Sequence, residues 1–193
     1  MILPIIAIGF PVLKKKCKEI DKDYSDLDIL LKNMEETMKN ASGVGLAAPQ
    51  INKAIRLFLV DTSAFANDEE LSEEEREFLS TYKRTFINAK ITKEEGEEWA
   101  FNEGCLSIPN IREDVFRKDT ITIEYVDENF NPKKETLTGL AARVIQHEYD
   151  HIEGILFTDK LSSLKKRLIK KKIENIKKGK VDVDYRMKFP LKK

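Results

Sequence analysis

The sequence is poor in the residues that cross-link a chain or bind metal ions. It has 2 cysteines and 2 histidines among 193 residues. Two cysteines can form one disulfide at most, and a charged chain of this size does not need one, which excludes a disulfide-rich secreted scaffold. Two histidines cannot build a metal site with three imidazole ligands. Any metal site therefore needs another kind of side chain.

The sequence also lacks an excess of charge of either sign and a long apolar run. It has 34 basic and 34 acidic residues, so its net charge does not demand a nucleic-acid partner, and no DNA partner is expected. The apolar start, Met1–Phe10, has no preceding basic residue and is interrupted by Pro4, unlike a signal peptide. No stretch approaches the ~20 apolar residues of a membrane span. We expect a cytoplasmic protein with no membrane partner.

The composition that remains is typical of a globular protein, with 41% hydrophobic and 35% charged residues. The length predicts one domain spanning 1–193, whose last part, about 161–193, is a basic helix and tail. Hydrophobic periodicity predicts helices over about 25–40, from a cap at Thr138 to Gly154, and over about 161–178. Strands are predicted over 55–60, 84–92, 97–102, 112–117, 120–127 and 133–137. Runs of this antiparallel kind predict the α+β class.

Two segments have unusual charge or pattern. The acidic stretch 67–77 predicts a solvated loop or a short surface helix between strands. The last predicted helix is expected to carry one apolar face, made of Leu161, Leu164, Leu168, Ile173 and Ile176. No element is assigned to the tail, 181–193.

The predicted helix that ends at Gly154 carries the sequence Gln-His-Glu-Tyr-Asp-His, 146–151. Residues four apart share a helix face, so His147 and His151 can bind one ion, with Glu148 close enough to reach a water on that ion. Two satisfied core histidines are the alternative, but both histidines of the chain stand at ligand spacing. Cys105 is the better candidate for a third ligand than Glu174, which lies among lysines; alone, Cys105 also fits a small buried core residue.

Three segments resemble the signature motifs of peptide deformylases, in that family's order: 43–50 (Gly-Val-Gly-Leu-Ala-Ala-Pro-Gln), 103–107 (Glu-Gly-Cys-Leu-Ser) and 146–151. The segment 9–13 resembles the start of that family, and the resemblance spans about 5–160. It implies antiparallel sheets packed around a central helix that carries the His-Glu-x-x-His motif, with a C-terminal helix. The implied enzyme removes the formyl group from the N-terminal methionine of nascent proteins.

The resemblance also implies residue roles. Cys105, His147 and His151 become ligands of one ion, which lowers the pKa of a bound water so that hydroxide attacks the formyl carbon. Glu148 becomes the general base and then the general acid, while the Gln50 side chain and the Leu106 N–H stabilise the oxyanion. The donor set suits zinc, yet the resemblance implies Fe²⁺, with Zn²⁺, Ni²⁺ or Co²⁺ able to substitute.

Substrate contacts follow from the same resemblance. Backbone groups of Val44, Gly45 and Gly104 are expected to pair with an extended peptide. The methionine pocket is expected to be lined by Val44, Phe101, Leu140 and Val144, with Arg143 at its rim. Arg117 and Asp150 are predicted to form a charged pair that steadies the ligand helix.

The basic end has a common and a specific interpretation. From Lys160 onward there are 14 basic and three acidic residues, which usually marks a solvated helix face. The resemblance implies that this helix contacts the ribosome through rRNA phosphates. Two other functions remain open on the residues alone: a metalloendopeptidase, and a ribosome-associated binding protein with a structural metal.

Overall fold

The structure, a computed structural model, describes residues 1–191. Its helices are α1 (Leu27–Asn40), α2 (Glu73–Thr81), α3 (Gly139–Ile152) and α4 (Ser163–Lys177). Its strands are β1 (Ile5–Ile6), β2 (Gly45–Ala47), β3 (Leu57–Asp61), β4 (Lys83–Cys105), β5 (Ile108–Val126), β6 (Pro132–Thr138) and β7 (Met187–Lys188). The predicted α+β class is confirmed.

The strands form a five-stranded antiparallel sheet, ordered β2-β3-β4-β5-β6, and a separate parallel pair, β1-β7. The strands predicted at 84–92 and 97–102 are one strand, β4, and those at 112–117 and 120–127 are one strand, β5. The polar run 93–98 gives no hydrophobic alternation, so its sequence indicates a break. Pairing with 118–122 keeps it in the sheet, and register shifts accommodate the twist.

The predicted central helix, α3, is buried along most of its length and packs on the sheet. Ala142, Ile145 and Ile152 contact a core that includes Phe58 and Ile123. Thr138 stands at the N-cap as predicted, but its side chain makes no capping hydrogen bond. The helix ends before Gly154, whose φ of +76° reverses the chain at a position where a Cβ would meet the backbone of Lys14 at 2.8 Å.

The acidic segment lies between β3 and β4 and contains the short surface helix that was one of its two predicted forms. Ser72 caps α2, its hydroxyl accepting from the Glu75 N–H, while the Glu75 side chain accepts from Ser72. Helix α2 is also anchored, because Leu79 is buried against Leu140 and Ala141 of α3. Helix α2 therefore covers the first turn of the central helix.

The predicted C-terminal helix is present as α4, but the predicted apolar face is partly wrong. Leu164 and Leu168 are 63% and 69% exposed, whereas Ile169 and Ile176 are buried in the core. Leu161 precedes the helix, which begins at Ser163. Within the helix the apolar residues divide between two faces: Ile169, Ile173 and Ile176 face inward, and Leu164 and Leu168 face outward. Within residues 1–191, no helix is both long and apolar enough to cross a membrane.

Candidate metal centre and catalytic site

Three candidate metal ligands meet where β4 ends against α3. Cys105 is the last residue of β4, and His147 and His151 stand one turn apart on α3. The Cys105 Sγ lies 3.3 Å from the Nε2 of His151, and ligand atoms of all three residues lie within 4.8 Å of one another. One sulfur and two imidazoles suit zinc or another divalent transition metal. The fold thus brings Cys105 close to His147, which lies 42 residues later in the sequence.

The orientation of His147 fits a metal ligand. Its Nδ1 lies 2.9 Å from the Glu103 Oε2, a contact that makes Nδ1 the proton donor and leaves Nε2 available for an ion. Carboxylate–histidine pairs of this kind fix the ring and its tautomer in metal sites. Burial lowers the pKa of His151, whereas hydrogen bonds to Cys105 and Glu103 outweigh burial and raise the pKa of His147 to about 10, so the anionic surroundings of His147 favour a positive charge at this point. The residues present therefore fit a divalent ion.

Glu103 is the centre of a buried charge network. Its carboxylate accepts hydrogen bonds from Arg117 (2.7 and 3.0 Å) and from the Nη1 of Arg143 (3.0 Å). Burial alone would raise the pKa of Glu103, but hydrogen bonds from Arg117 and His147 outweigh it and hold that pKa well below its ordinary range. The predicted pair of Arg117 and Asp150 is present, with a contact of 2.7 Å. Arg117 thus links Glu103 to the ligand helix.

Glu148 points into the site from the same helix. It is 5% exposed, and its Oε2 has no hydrogen-bond partner among residues 1–191. Burial raises the pKa of Glu148 to about 7. A buried carboxyl group with such a pKa is suited to exchange protons near neutral pH.

Gly45 gives Glu148 its space. A Cβ built on Gly45 would lie 2.5 Å from the Glu148 Oε1 and 2.7 Å from its Cδ and Cγ. Strand β2 can approach α3 only because residue 45 has no side chain. This glycine of the 43–50 motif is therefore required by its contact with the Glu148 side chain.

The resemblance to peptide deformylases makes Glu148 the general base of formyl removal; on that basis we expect Gly45→Ala to lower kcat by about 10- to 100-fold, because displacing a reacting group by ~1 Å costs about that much. Steady-state kinetics of formate release will measure it. The matched comparison is Gly43→Ala, where the closest atom to a new Cβ is the flexible end of Leu106, at 2.8 Å. The effect at position 43 should be clearly smaller, and equal losses would contradict this role of Gly45.

Gln50 and Leu106 flank the three candidate ligands. The Gln50 Oε1 accepts the Ala47 N–H at 2.8 Å, which turns the amide nitrogen towards the site. That nitrogen lies 3.6 Å from the Cys105 Sγ and 3.4 Å from the Ser107 hydroxyl. Leu106 directly follows Cys105 at the turn between β4 and β5. Both predicted oxyanion donors therefore lie beside the metal-ligand group.

These residues open onto a cleft of about 580 Å³. Of the predicted substrate contacts, five line this cleft: Val44, Gly45, Phe101, Gly104 and Val144. Leu140 is not among its lining residues within 1–191 and packs with Leu79 and Ala141 instead. Arg143 also borders the cleft, but it is 1% exposed, so it belongs to the buried wall and not to the predicted rim; its guanidinium lies 4.5 Å from the Trp99 ring centre.

Sequence reasoning missed the contribution of the chain's end. Asp182, Val183, Asp184 and Tyr185 line the same cleft. The signal was available, because apolar residues at 181, 183, 185, 187 and 189 alternate with polar ones at 182, 184, 186 and 188. The alternative third ligand, Glu174, pairs with Lys177 at 2.7 Å on α4.

Comparison with known proteins agrees with this geometry. The sequence profile of the polypeptide deformylase family matches residues 2–167. The chain is 66% identical to a peptide deformylase of Christiangramia forsetii over 190 residues, covering 98% of this chain and 97% of the relative. It is 62% identical to one of Flavobacterium psychrophilum over 193 residues, covering 100% of both.

Solved structures give the same result. A peptide deformylase from Legionella pneumophila superimposes with a TM-score of 0.78 at 33% identity, covering 93% of this chain and 98% of that one. Peptide deformylase 1B from Arabidopsis thaliana, in complex with an inhibitor, gives 0.78 at 30% identity and 92% of both chains. The chain therefore belongs to the polypeptide deformylase family and is an enzyme of that type.

Proposed function

We propose that this chain, acting as one catalytic domain, hydrolyses the formyl amide of N-formylmethionine at the start of nascent proteins and releases formate. The observation that carries the proposal is the meeting of Cys105, His147 and His151 beside the buried carboxyl group of Glu148. A thiolate, two imidazoles and a nearby proton acceptor form the set that amide hydrolysis by an activated water requires. This substrate places the reaction in the cytoplasm, where nascent chains emerge.

Cys105, His147 and His151 hold the ion in this proposal, and Fe²⁺ is the ion we assign, with Zn²⁺, Ni²⁺ or Co²⁺ able to replace it. When bound, the ion supplies the Lewis acidity that brings the pKa of water from ~15.7 towards ~7. Glu103 and Arg117 hold the ligands in place: Glu103 fixes the His147 ring, and Arg117 joins Glu103 to Asp150.

Glu148 moves the proton. It accepts a proton from the attacking water and donates it to the methionine nitrogen as the C–N bond breaks, which leaves formate and a free amine. The side-chain amide of Gln50 and the backbone N–H of Leu106 donate hydrogen bonds to the oxygen that becomes negative. Donors of this type, fixed in advance, are worth roughly 3–4 kcal/mol each.

The cleft walls recognise the peptide. Backbone groups of Val44, Gly45 and Gly104 pair with the extended substrate backbone, a mode of recognition that tolerates different residues after methionine. Phe101 and Val144 form the apolar surface for the methionine side chain. Both line the same cleft as Cys105 and His147.

The test is an assay of anaerobically prepared, Fe²⁺-loaded protein on formyl-Met-Ala-Ser and on the same peptide without the formyl group. Formate release from the first peptide alone supports the proposal. Cleavage of an internal bond in either peptide would instead indicate an endopeptidase. Tight ion binding without turnover would indicate a structural metal.

We also propose that α4 contacts the ribosome through exposed basic side chains. Lys170, Lys171 and Lys172 are solvent-exposed, and phosphate contacts of this kind weaken steeply with salt. Replacing all three lysines by glutamine should reduce co-sedimentation with ribosomes at low salt by several-fold.

The matched control replaces three exposed lysines elsewhere, Lys22, Lys32 and Lys53, by glutamine. Both variants remove the same charge, so a loss confined to the α4 variant identifies the surface. Equal losses would mean that net charge alone drives the association and would rule out a specific α4 contact.

A further inference from the structure

The end of the chain, residues 181–189, forms a strap across one side of the catalytic cleft; we call it the C-terminal strap. Its odd-numbered residues, from Val181 to Phe189, are partly buried, and the polar residues between them are exposed. Tyr185, Met187 and Leu106 pack against the same core cluster. The strap therefore has an inner face, and that face is turned towards the active-site segment.

Backbone contacts hold the strap in place. β7 pairs in parallel with β1, where the N–H groups of Ile5 and Ala7 donate to Arg186 and Lys188, each at 2.9 Å. At its other end the Nδ2 of Asn110 donates to the Asp182 carbonyl at 3.0 Å. The strap is thus fixed on both sides of Tyr185.

Tyr185 makes the contact that matters for the site. Its hydroxyl donates a hydrogen bond of 2.8 Å to the carbonyl oxygen of Leu106. The next carbonyl, that of Ser107, accepts the Ile8 N–H at 2.8 Å. Two consecutive carbonyls directly after Cys105 are therefore held by hydrogen bonds, one from the strap and one from the segment that follows β1.

We propose that Tyr185 is a positioning residue for the reaction: its hydroxyl fixes the Leu106 carbonyl and so holds the Leu106 N–H in the direction an oxyanion needs. This inference rests on the proposed function, in which that N–H is an oxyanion donor. The two groups flank one Cα, so fixing the carbonyl restricts rotation of the residue that carries the donor. A donor that does not reorganise during the reaction stabilises charge most effectively.

The alternative is a strap that only stabilises the fold. Such a strap would lower the free energy of unfolding when weakened, yet leave the remaining folded enzyme with unchanged kinetics. A positioning strap instead affects an interaction made mainly in the transition state, which lowers kcat and leaves KM nearly constant. A decrease in kcat without a change in KM therefore distinguishes a positioning strap from one that only stabilises the fold.

The experiment compares Tyr185→Phe with the wild-type chain, both loaded with Fe²⁺ and brought to equal ion content. The variant keeps the ring and removes only the hydroxyl. Since one hydrogen bond is worth about 0.5–1.5 kcal/mol, kcat on formyl-Met-Ala-Ser should fall roughly two- to twelvefold with little change in KM. Hydrogen–deuterium exchange over 103–111 should become faster in the variant, with or without substrate.

Tyr24→Phe is the matched control, because Tyr24 lies beside the surface pocket formed with Phe130, away from the cleft. It should change neither kcat nor exchange over 103–111. Unchanged kcat in Tyr185→Phe, or a rise in KM alone, would overturn the proposal. A wild-type chain that released no formate would refute the proposed function instead, and the exchange rates would still decide whether Tyr185 holds the Leu106 segment.

Discussion

Replacing Glu148 by glutamine is expected to lower kcat by about 10²- to 10⁴-fold, the usual contribution of a positioned general acid–base. Glutamine keeps the size of the side chain but cannot accept the proton of the attacking water. The neighbouring buried carboxylate, Glu103, cannot take over, because it already pairs with Arg117, Arg143 and His147. The loss should therefore appear in kcat and in kcat/KM alike.

Stability should not fall in this variant. The Glu148 Oε2 has no partner among the described residues, and burial raises the pKa of Glu148 to about 7. Above that pH the folded chain must bury a charged carboxylate, which disfavours folding, and neutral glutamine removes this cost. At pH 8 we expect an unchanged or higher melting temperature, together with normal ion content.

Glu153→Gln provides a control with the opposite pattern. Glu153 follows α3 and pairs with Arg56 at 2.6 Å and with Lys16 at 3.0 Å, outside the cleft. Its replacement should lower stability and leave kcat intact. If Glu148→Gln retained more than about a tenth of wild-type kcat, contrary to the 10²-fold minimum expected of a general base, the assigned role would be wrong.

The parts of the site that depend on local spacing were predictable from the sequence. His147, Glu148 and His151 lie on one helix, so their relative positions follow from its 3.6-residue period. The family resemblance then brought Cys105 and Gln50 to the same point, and the structure places both beside the histidines. The bounds of the central helix were also nearly correct, because its hydrophobic period and its flanking Thr138 and Gly154 are local features of the sequence.

The parts of the site that depend on contacts between segments distant in sequence were not predictable. Arg143 was expected at the rim of the pocket, whereas contacts with Glu103 and the ring of Trp99 hold its charge in the core. Leu140 was expected to line the cleft, but it is buried against Leu79 of helix α2. No periodicity within α3 distinguishes a leucine that faces substrate from one that faces another helix.

The strap illustrates a different limit. Its alternating pattern predicts a strand, but a strand of this length needs a partner, and β1 lies some 180 residues earlier in the sequence. The same non-local pairing explains why polar residues 93–98 remain in β4, since the partner strand rather than their own pattern keeps them there. Pattern indicates an element, while tertiary contacts decide where its residues act.

Glu103→Gln is the second change with a large expected effect. The folded chain would then bury the guanidinium groups of Arg117 and Arg143, which are 6% and 1% exposed, without the carboxylate that both contact. Removing one partner of a buried ion pair typically costs about 3–5 kcal/mol of unfolding free energy. The His147 ring also loses its anchor, so ion affinity should fall by about 10- to 100-fold.

Chemical denaturation and competition with a chelator measure these two effects, and Glu153→Gln is again the matched control. It breaks a half-buried carboxylate–arginine contact away from the ligands, so it should reduce stability and leave ion affinity unchanged. If both variants kept wild-type ion affinity, the contact between Glu103 and His147 would have no part in holding the ion.

The pH dependence of stability tests the charge of Glu103 directly. Its folded pKa lies below the ordinary 4.5, so the folded chain binds fewer protons at this site than the unfolded chain does. The stabilisation by Glu103 is therefore fully present above about pH 4.5 and is lost as the pH falls towards the depressed folded pKa. Glutamine does not titrate, so the difference in unfolding free energy between wild type and variant should shrink steadily in acid. A difference that stayed constant down to pH 3 would mean that shape and hydrogen bonds, rather than charge, make Glu103 indispensable to the ligand helix.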